Sequence, residues 1–239
     1  MAGGVPAVVA SGLAKSYGRL WALRQVDLMV APGSFLLITG PSGAGKSTLL
    51  GLVAGLLRPT AGELRVLAGD PGRDPAVRRR VGIVAEQPML YEELSAAENL
   101  RFFARLYGVQ AGSGRIALAL ERVGLLRRAD SRVRTLSRGM KQRLAWARAV
   151  LHEPRLLLLD EPFSGLDQHG TELLLAQLHA LRERGVTCLL ATHQPQLVQE
   201  LADQRLRLLD GRVVCRAGAT EKLPIEPGKD RCPPAEALP

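Results

Sequence analysis

Apolar and polar residues alternate from Val5 to Leu13 and again from Arg24 to Val30, the period of half-buried strands. Between them, Lys15-Ser-Tyr-Gly18 reads as a turn carrying an exposed aromatic, and Pro32-Gly33 ends the second strand. Phe35 to Thr39 is a continuous apolar run, as is Val81 to Ala85. Strands covered on both faces read this way. Arg155-Leu-Leu-Leu-Leu-Asp-Glu161 and Val186 to Thr192 add two more strands. A short strand from Glu63 to Leu67 follows the stop Arg58-Pro-Thr-Ala-Gly62. From Ser95 to about Val150 the period becomes helical. Ser95 and Glu98 form a capping box, Leu100, Phe103, Ala104 and Tyr107 make one apolar face, and Gly108 closes the helix. A second helix is predicted over Ser113 to Val123, then a basic linker, then a helix opened by Leu136-Ser-Arg-Gly-Met140. Thr171 to Glu183 and Pro195 to Ala202 also read as helices, and Asp210-Gly211 as the turn of a closing hairpin.

This order predicts an α/β fold. Its core of mainly parallel strands has an antiparallel β edge contributed by both ends of the chain, and a helical subdomain is inserted at about residues 88–153. The domain is expected to span residues 1–216. Residues 217–239 are rich in proline and charge without a period, and are expected to form a loose tail.

Gly40, Pro41, Ser42, Gly43, Ala44, Gly45, Lys46, Ser47 and Thr48 stand between a predicted strand and a predicted helix and read G-x-x-x-x-G-K-S-T. In that setting the glycines let backbone N–H groups turn inward around a phosphate chain. The new helix directs its positive dipole end to the same place. Lys46 adds a mobile charge for the outer phosphates, and Ser47 a hydroxyl for Mg²⁺. A P-loop NTPase core is therefore predicted, one that holds a nucleotide's phosphate chain together with Mg²⁺. Asp160 and Glu161 end a buried strand, at the sheet edge where α/β folds place ligands. Asp160 is expected to hold Mg²⁺, and Glu161 to polarise an attacking water. Gln87 and His193 also stand at strand ends and can face the γ-phosphate, Gln87 through its amide to metal and water, His193 through an imidazole N–H.

Bulk properties change this picture little. The net charge is +9 over 239 residues, but the arginines are scattered and no basic stripe interleaved with aromatics appears, so nucleic acid is not an expected partner. No apolar run reaches the length of a membrane span and no signal peptide is visible. The chain is expected to stay in the cytosol unless a partner holds it elsewhere. Three widely spaced cysteines, without C-x-x-C spacing, suit a reducing compartment and imply neither a metal site nor a disulfide framework.

Across residues 5 to 216 the chain resembles the nucleotide-binding domain of ABC transporters. The matching pieces are Tyr17, Gly40 to Thr48, Gln87, Leu136-Ser-Arg-Gly-Met140, Leu156 to Glu161, Ser164-Gly-Leu-Asp167 and His193, in family order. The resemblance implies two ATP molecules between two head-to-tail copies, with Ser137 and Gly139 of one copy contacting the γ-phosphate held by the other. It gives Tyr17 the role of stacking on adenine, Glu161 that of general base, His193 that of γ-phosphate sensor and Asp167 that of coupling the two sites. The usual signature is L-S-G-G-Q; Arg138 and Met140 depart from it. Leu90 to Gly108, Ser137 to Met140 and Asp160 to Asp167 more narrowly resemble the ATPase of the haem exporter of cytochrome c maturation, with drug and polyketide-antibiotic exporters as the alternative.

The expected function is thus ATP hydrolysis that drives a separate membrane permease. That permease should dock near Gln87 to Tyr91 and the aromatics Phe102 and Tyr107, with Phe103 serving the core. Two other readings compete. A soluble ABC ATPase acting on nucleic acid or the ribosome usually carries two ATPase halves, coiled coils or zinc fingers, and none is present here. A P-loop kinase would leave the signature stretch and His193 without work.

Overall fold

In a computed structural model the described residues are 5–110 and 112–218. The strands are β1 (Val8–Tyr17), β2 (Leu20–Val30), β3 (Phe35–Thr39), β4 (Ala61–Val66), β5 (Val81–Val84), β6 (Leu156–Asp160), β7 (Thr187–Ala191), β8 (Gln204–Leu209) and β9 (Arg212–Gly218). The helices are α1 (Lys46–Val53), α2 (Pro75–Arg78), α3 (Ala96–Leu106), α4 (Ser113–Arg122), α5 (Arg138–Val150) and α6 (Gln168–Glu183). The predicted tail lies outside the described residues apart from its first two, which extend β9 to Gly218.

Six strands form one sheet in the order β5-β6-β7-β3-β8-β9, parallel except for the β8–β9 pair. Strands β3, β5, β6 and β7 read as near-continuous apolar runs because each feeds two cores. Leu36, Ile38, Leu156 and Leu158 face one side with Leu49 and Leu52 of α1. Phe35, Leu37, Leu157 and Leu159 face the other with residues of α3 to α6. A fully buried leucine contributes about 2 kcal/mol, so the four leucines of β6 anchor both layers.

Several sequence expectations are corrected. The N-terminal strands do not join the edge of this sheet. With β4 they form their own antiparallel sheet, β2-β1-β4, and only β9 supplies the antiparallel edge. Lys15 to Tyr17 is strand, not turn. The hairpin turns at Gly18-Arg19, and register shifts along β1–β2 break the alternation that would have signalled it. Asp74 caps the unforeseen α2 by accepting from Ala76 N. Pro195–Leu197 is a single 3-10 turn rather than a helix, because the bonds of Leu197, Val198 and Leu201 reach back three residues. Cys188 is free and buried.

The capping box is present: Ser95 Oγ accepts from Glu98 N at 3.2 Å, and Glu98 Oε2 accepts from Ser95 N at 2.7 Å. Ser95→Ala should lower the unfolding free energy by about 1 kcal/mol, measured from the denaturant midpoint at unchanged m-value.

Candidate functional site

Register brings the site together. Ile38 of β3 lies beside Ala191 of β7, and Ala191 beside Asp160 of β6, while Val84 of β5 pairs with Leu159. The carboxyl ends of these strands therefore form one edge, from which the segments starting at Gly40, Glu161, Thr192 and Ala85 emerge.

The loop after β3 is built around glycines that tolerate no side chain. A Cβ at Gly40 would meet Leu208 O at 2.2 Å, and one at Gly45 would meet Ala22 O at 2.5 Å. Both have positive φ, 143° and 102°. Lys46 is buried and its Nζ donates to Gly40 O at 2.7 Å and Pro41 O at 2.9 Å. It thus holds the loop closed while Pro41, Ser42 and Gly43 stay open to solvent. Ala44 is buried, Thr48 half-buried, and Gly45 caps α1.

Asp160 is buried, with the Ser47 hydroxyl beside it. Burial raises its pKa, and nearby Glu86 adds to the rise, while Ser47 and Lys46 oppose it. Ser47 and Asp160 offer two hard oxygen donors beside the phosphate loop. Mg²⁺ suits such a set, since it prefers few protein oxygens plus phosphate and water. Among the described residues no cluster of three or more acidic, histidine or cysteine side chains forms a metal site independent of that pair.

Glu161 has φ 49°, a left-handed conformation that glycine adopts readily and that costs any other residue about 1–3 kcal/mol. Its turn is held by Glu161 N donating to Ala191 O at 2.9 Å and by Gln142 Nε2 donating to Pro162 O at 3.3 Å. His193 N donates to Glu161 Oε2 at 3.2 Å. His193 Nδ1 lies 3.0 Å from Glu161 Oε1, close enough for an ion pair but not aligned for a hydrogen bond, so that buried oxygen lacks a donor. Burial raises the Glu161 pKa against the opposing pull of His193, Thr192 and Lys46.

Other sequence candidates are more dispersed. Gln87 is exposed in the bend after β5, and no hydrogen bond ties its side chain to Ser47 or Asp160. Tyr17 ends β1, half exposed, with Lys15 Nζ 5.2 Å from its ring centroid. Ser137 caps α5 and accepts from Met140 N. Gly139 packs so closely on the Ser164–Leu166 segment that a Cβ would meet Gly165 O at 2.7 Å. Asp167 caps α6 through Gly170 N at 2.7 Å.

The two departures from the family signature have structural reasons. Arg138 Nη2 donates to Ser164 Oγ at 2.8 Å within the same chain, and Met140 packs against the helical core. Sequence reasoning missed Gln142, Thr192, Glu86 and Arg148. Gln142 was findable as the one polar residue on the α5 face shared with Ala145 and Trp146. The others depend on contacts distant in sequence.

The loop, the paired carboxylates and the strand order define a nucleotide-binding cassette, and the family profile described as ABC transporter matches residues 23–164. The chain belongs to the ABC transporter family. It is 37% identical over 215 residues to a Nod factor export ATP-binding protein I of Mesorhizobium japonicum, covering 89% of this chain and 63% of that protein. It is 38% identical over 228 residues to a daunorubicin resistance ATP-binding protein of Streptomyces coeruleorubidus, covering 94% and 72%. The chain thus spans under two thirds of the first relative's length. Among solved structures, a dimeric ATP-binding cassette in a post-hydrolysis state bound to ADP and Pi superposes with a TM-score of 0.83 at 31% identity, covering 90% of this chain and all of that one. An ATP-binding subunit of an ABC transporter gives 0.82 at 32% identity, covering 88% and 89%. These relatives are named for Nod factor and daunorubicin, not haem, so they do not support the expectation of haem export and cytochrome c maturation.

Proposed function

We propose that this chain is the ATP-hydrolysing subunit of an exporter, paired with a second ATPase copy and driving a separate membrane permease for a drug-like or amphiphilic cargo. The observation that carries the ATPase reading is the single sheet edge joining Lys46, Ser47, Asp160, Glu161 and His193. The export reading draws on the names of the relatives. No helix among the described residues is long and apolar enough to cross a membrane, which agrees with a permease on another chain.

In this reading the loop N–H groups and Lys46 bind the phosphates, and Tyr17 stacks on adenine. Ser47 and Asp160 would hold Mg²⁺, with Gln87 joining them; when bound it would supply positive charge that offsets the phosphate charge. Glu161 takes a proton from the water that attacks the γ-phosphorus, giving ADP and phosphate. His193 holds Glu161 in place and contacts the γ-phosphate. Ser137 and Gly139 serve the partner copy's nucleotide, and Asp167 couples the two sites. Arg138 stays with Ser164 in its own chain, so it need not add charge at the nucleotide.

The permease would meet an aromatic patch. Tyr91 and Phe102 are exposed and pack edge to face, with ring centroids 4.8 Å apart. Buried Asn99 holds the Tyr91 backbone by donating to its carbonyl at 2.9 Å and accepting from its N–H at 2.8 Å. Tyr107 leaves the expected surface, because it stacks on His152 at 3.8 Å and is half-buried. Tyr91→Ala with Phe102→Ala should abolish permease-dependent stimulation of ATPase in reconstituted membranes while basal ATPase stays within about twofold. Unchanged co-purification and stimulation would overturn this docking surface.

A further inference from the structure

Arg148, near the end of α5, is only 3% exposed, and among the described residues no carboxylate lies within ion-pair distance of it. A buried guanidinium without an acid is unfavourable unless its N–H groups are otherwise satisfied. Here Nη1 donates to Met89 O and Nη2 to Ile83 O, both at 2.6 Å. Those two carbonyls bracket the bend that carries Glu86 and Gln87, so one planar fork pins both stems of it. Lysine, with a single nitrogen, cannot reproduce such a fork.

The other side of the guanidinium faces the aromatic patch. Its Cζ sits 5.1 Å from the Phe103 ring centroid. Phe103 in turn contacts Phe102 at 5.3 Å and Tyr91 at 6.0 Å. A continuous path of contacts therefore runs from the exposed rings, through Phe103 and Arg148, to the stems of the Gln87 bend. Earlier on the same helix, Gln142 donates to Pro162 O beside Glu161. One helix thus addresses both the Gln87 bend and the turn of the proposed general base.

We propose that Arg148 is a positioning residue that, backed by the Phe103 ring, fixes where the Gln87 bend stands. This rests on the reading of Gln87 given above. A guanidinium that merely fills the core would matter for stability alone. The two roles separate in a double-mutant cycle of Arg148→Lys with Gln87→Ala on basal ATPase. Each single change should lower kcat by about tenfold with KM for ATP within about twofold, and the double variant should be no slower than Gln87→Ala alone. Multiplying factors, or an unchanged kcat in Arg148→Lys, would overturn the proposal.

Hydrogen exchange gives an answer that does not depend on turnover. Residues 84–91 should exchange at least about tenfold faster in Arg148→Lys while residues 40–48 keep their protection. A uniform rise along the chain overturns the proposal. If Arg148→Lys does not fold cooperatively, Phe103→Leu replaces it: both carbonyl bonds remain, the ring beneath the guanidinium is lost, and exchange should still rise at 84–91. Unchanged exchange there overturns it. Absence of ATPase in the wild-type chain would defeat the ATPase reading and leave the exchange result to decide this one.

Discussion

Glu161→Gln should bind ATP as tightly as the wild type, hydrolyse it at least about a hundredfold more slowly, and accumulate as a pair of chains in Mg-ATP. The substitution keeps the shape of the side chain and its bond from His193 N, but removes the proton acceptor. Slow turnover then leaves ATP in place at both interfaces. Single-turnover kinetics and light scattering measure the two effects. Full turnover would remove Glu161 from the role of base. A chain that stays single in saturating Mg-ATP would defeat the paired arrangement. The wild type carries a companion signature. Because burial raises the Glu161 pKa, its ionised form is lost at a higher pH than for an exposed glutamate. The acid limb of kcat should therefore fall away as pH drops through a value above the usual 4.5.

Lys46→Ala should act on binding itself, raising the Kd for ATP by roughly 10- to 150-fold, the worth of one charge-assisted hydrogen bond at about 1.5–3 kcal/mol. Lys46 Nζ now rests on the carbonyls of Gly40 and Pro41. A phosphate oxygen would take over those contacts without moving the buried stem. Titration with a fluorescent nucleotide analogue tests this, and an unchanged Kd would place the lysine outside the phosphate site.

The phosphate loop was legible in the sequence because its chemistry is contiguous: strand, glycines, lysine and helix follow one another within a few residues. Asp160 and Glu161 were legible for the same reason, since four leucines lead straight into them. The buried strands declared themselves as apolar runs, but not their neighbours. Nothing local tells β1 to pair with β4 rather than with the large sheet. The positioning residues were silent for a related reason. Arg148 looks like one more arginine in a chain rich in them until Ile83 and Met89 fold against it. Arg138 reads only as a departure from the usual signature until Ser164 is brought within reach of it. Pro195 to Ala202 misled because Val198, Leu201 and Ala202 are buried as a helix face would be, while their backbone makes a tighter turn.

The strand order also sets a timetable for synthesis. Phe35-Leu-Leu-Ile38 lies between β7 and β8, with Phe35 beside Cys188 and Leu36 beside Gln204. While a ribosome is still extending the nascent chain, that apolar segment has neither neighbour. The motif that begins at Gly40 therefore hangs from an unpaired strand until nearly the last described residues have emerged. Such a delay exposes sticky surface to chaperones and slows folding. The late-made strands β7 and β8 thus decide when the early-made phosphate loop can grip a nucleotide.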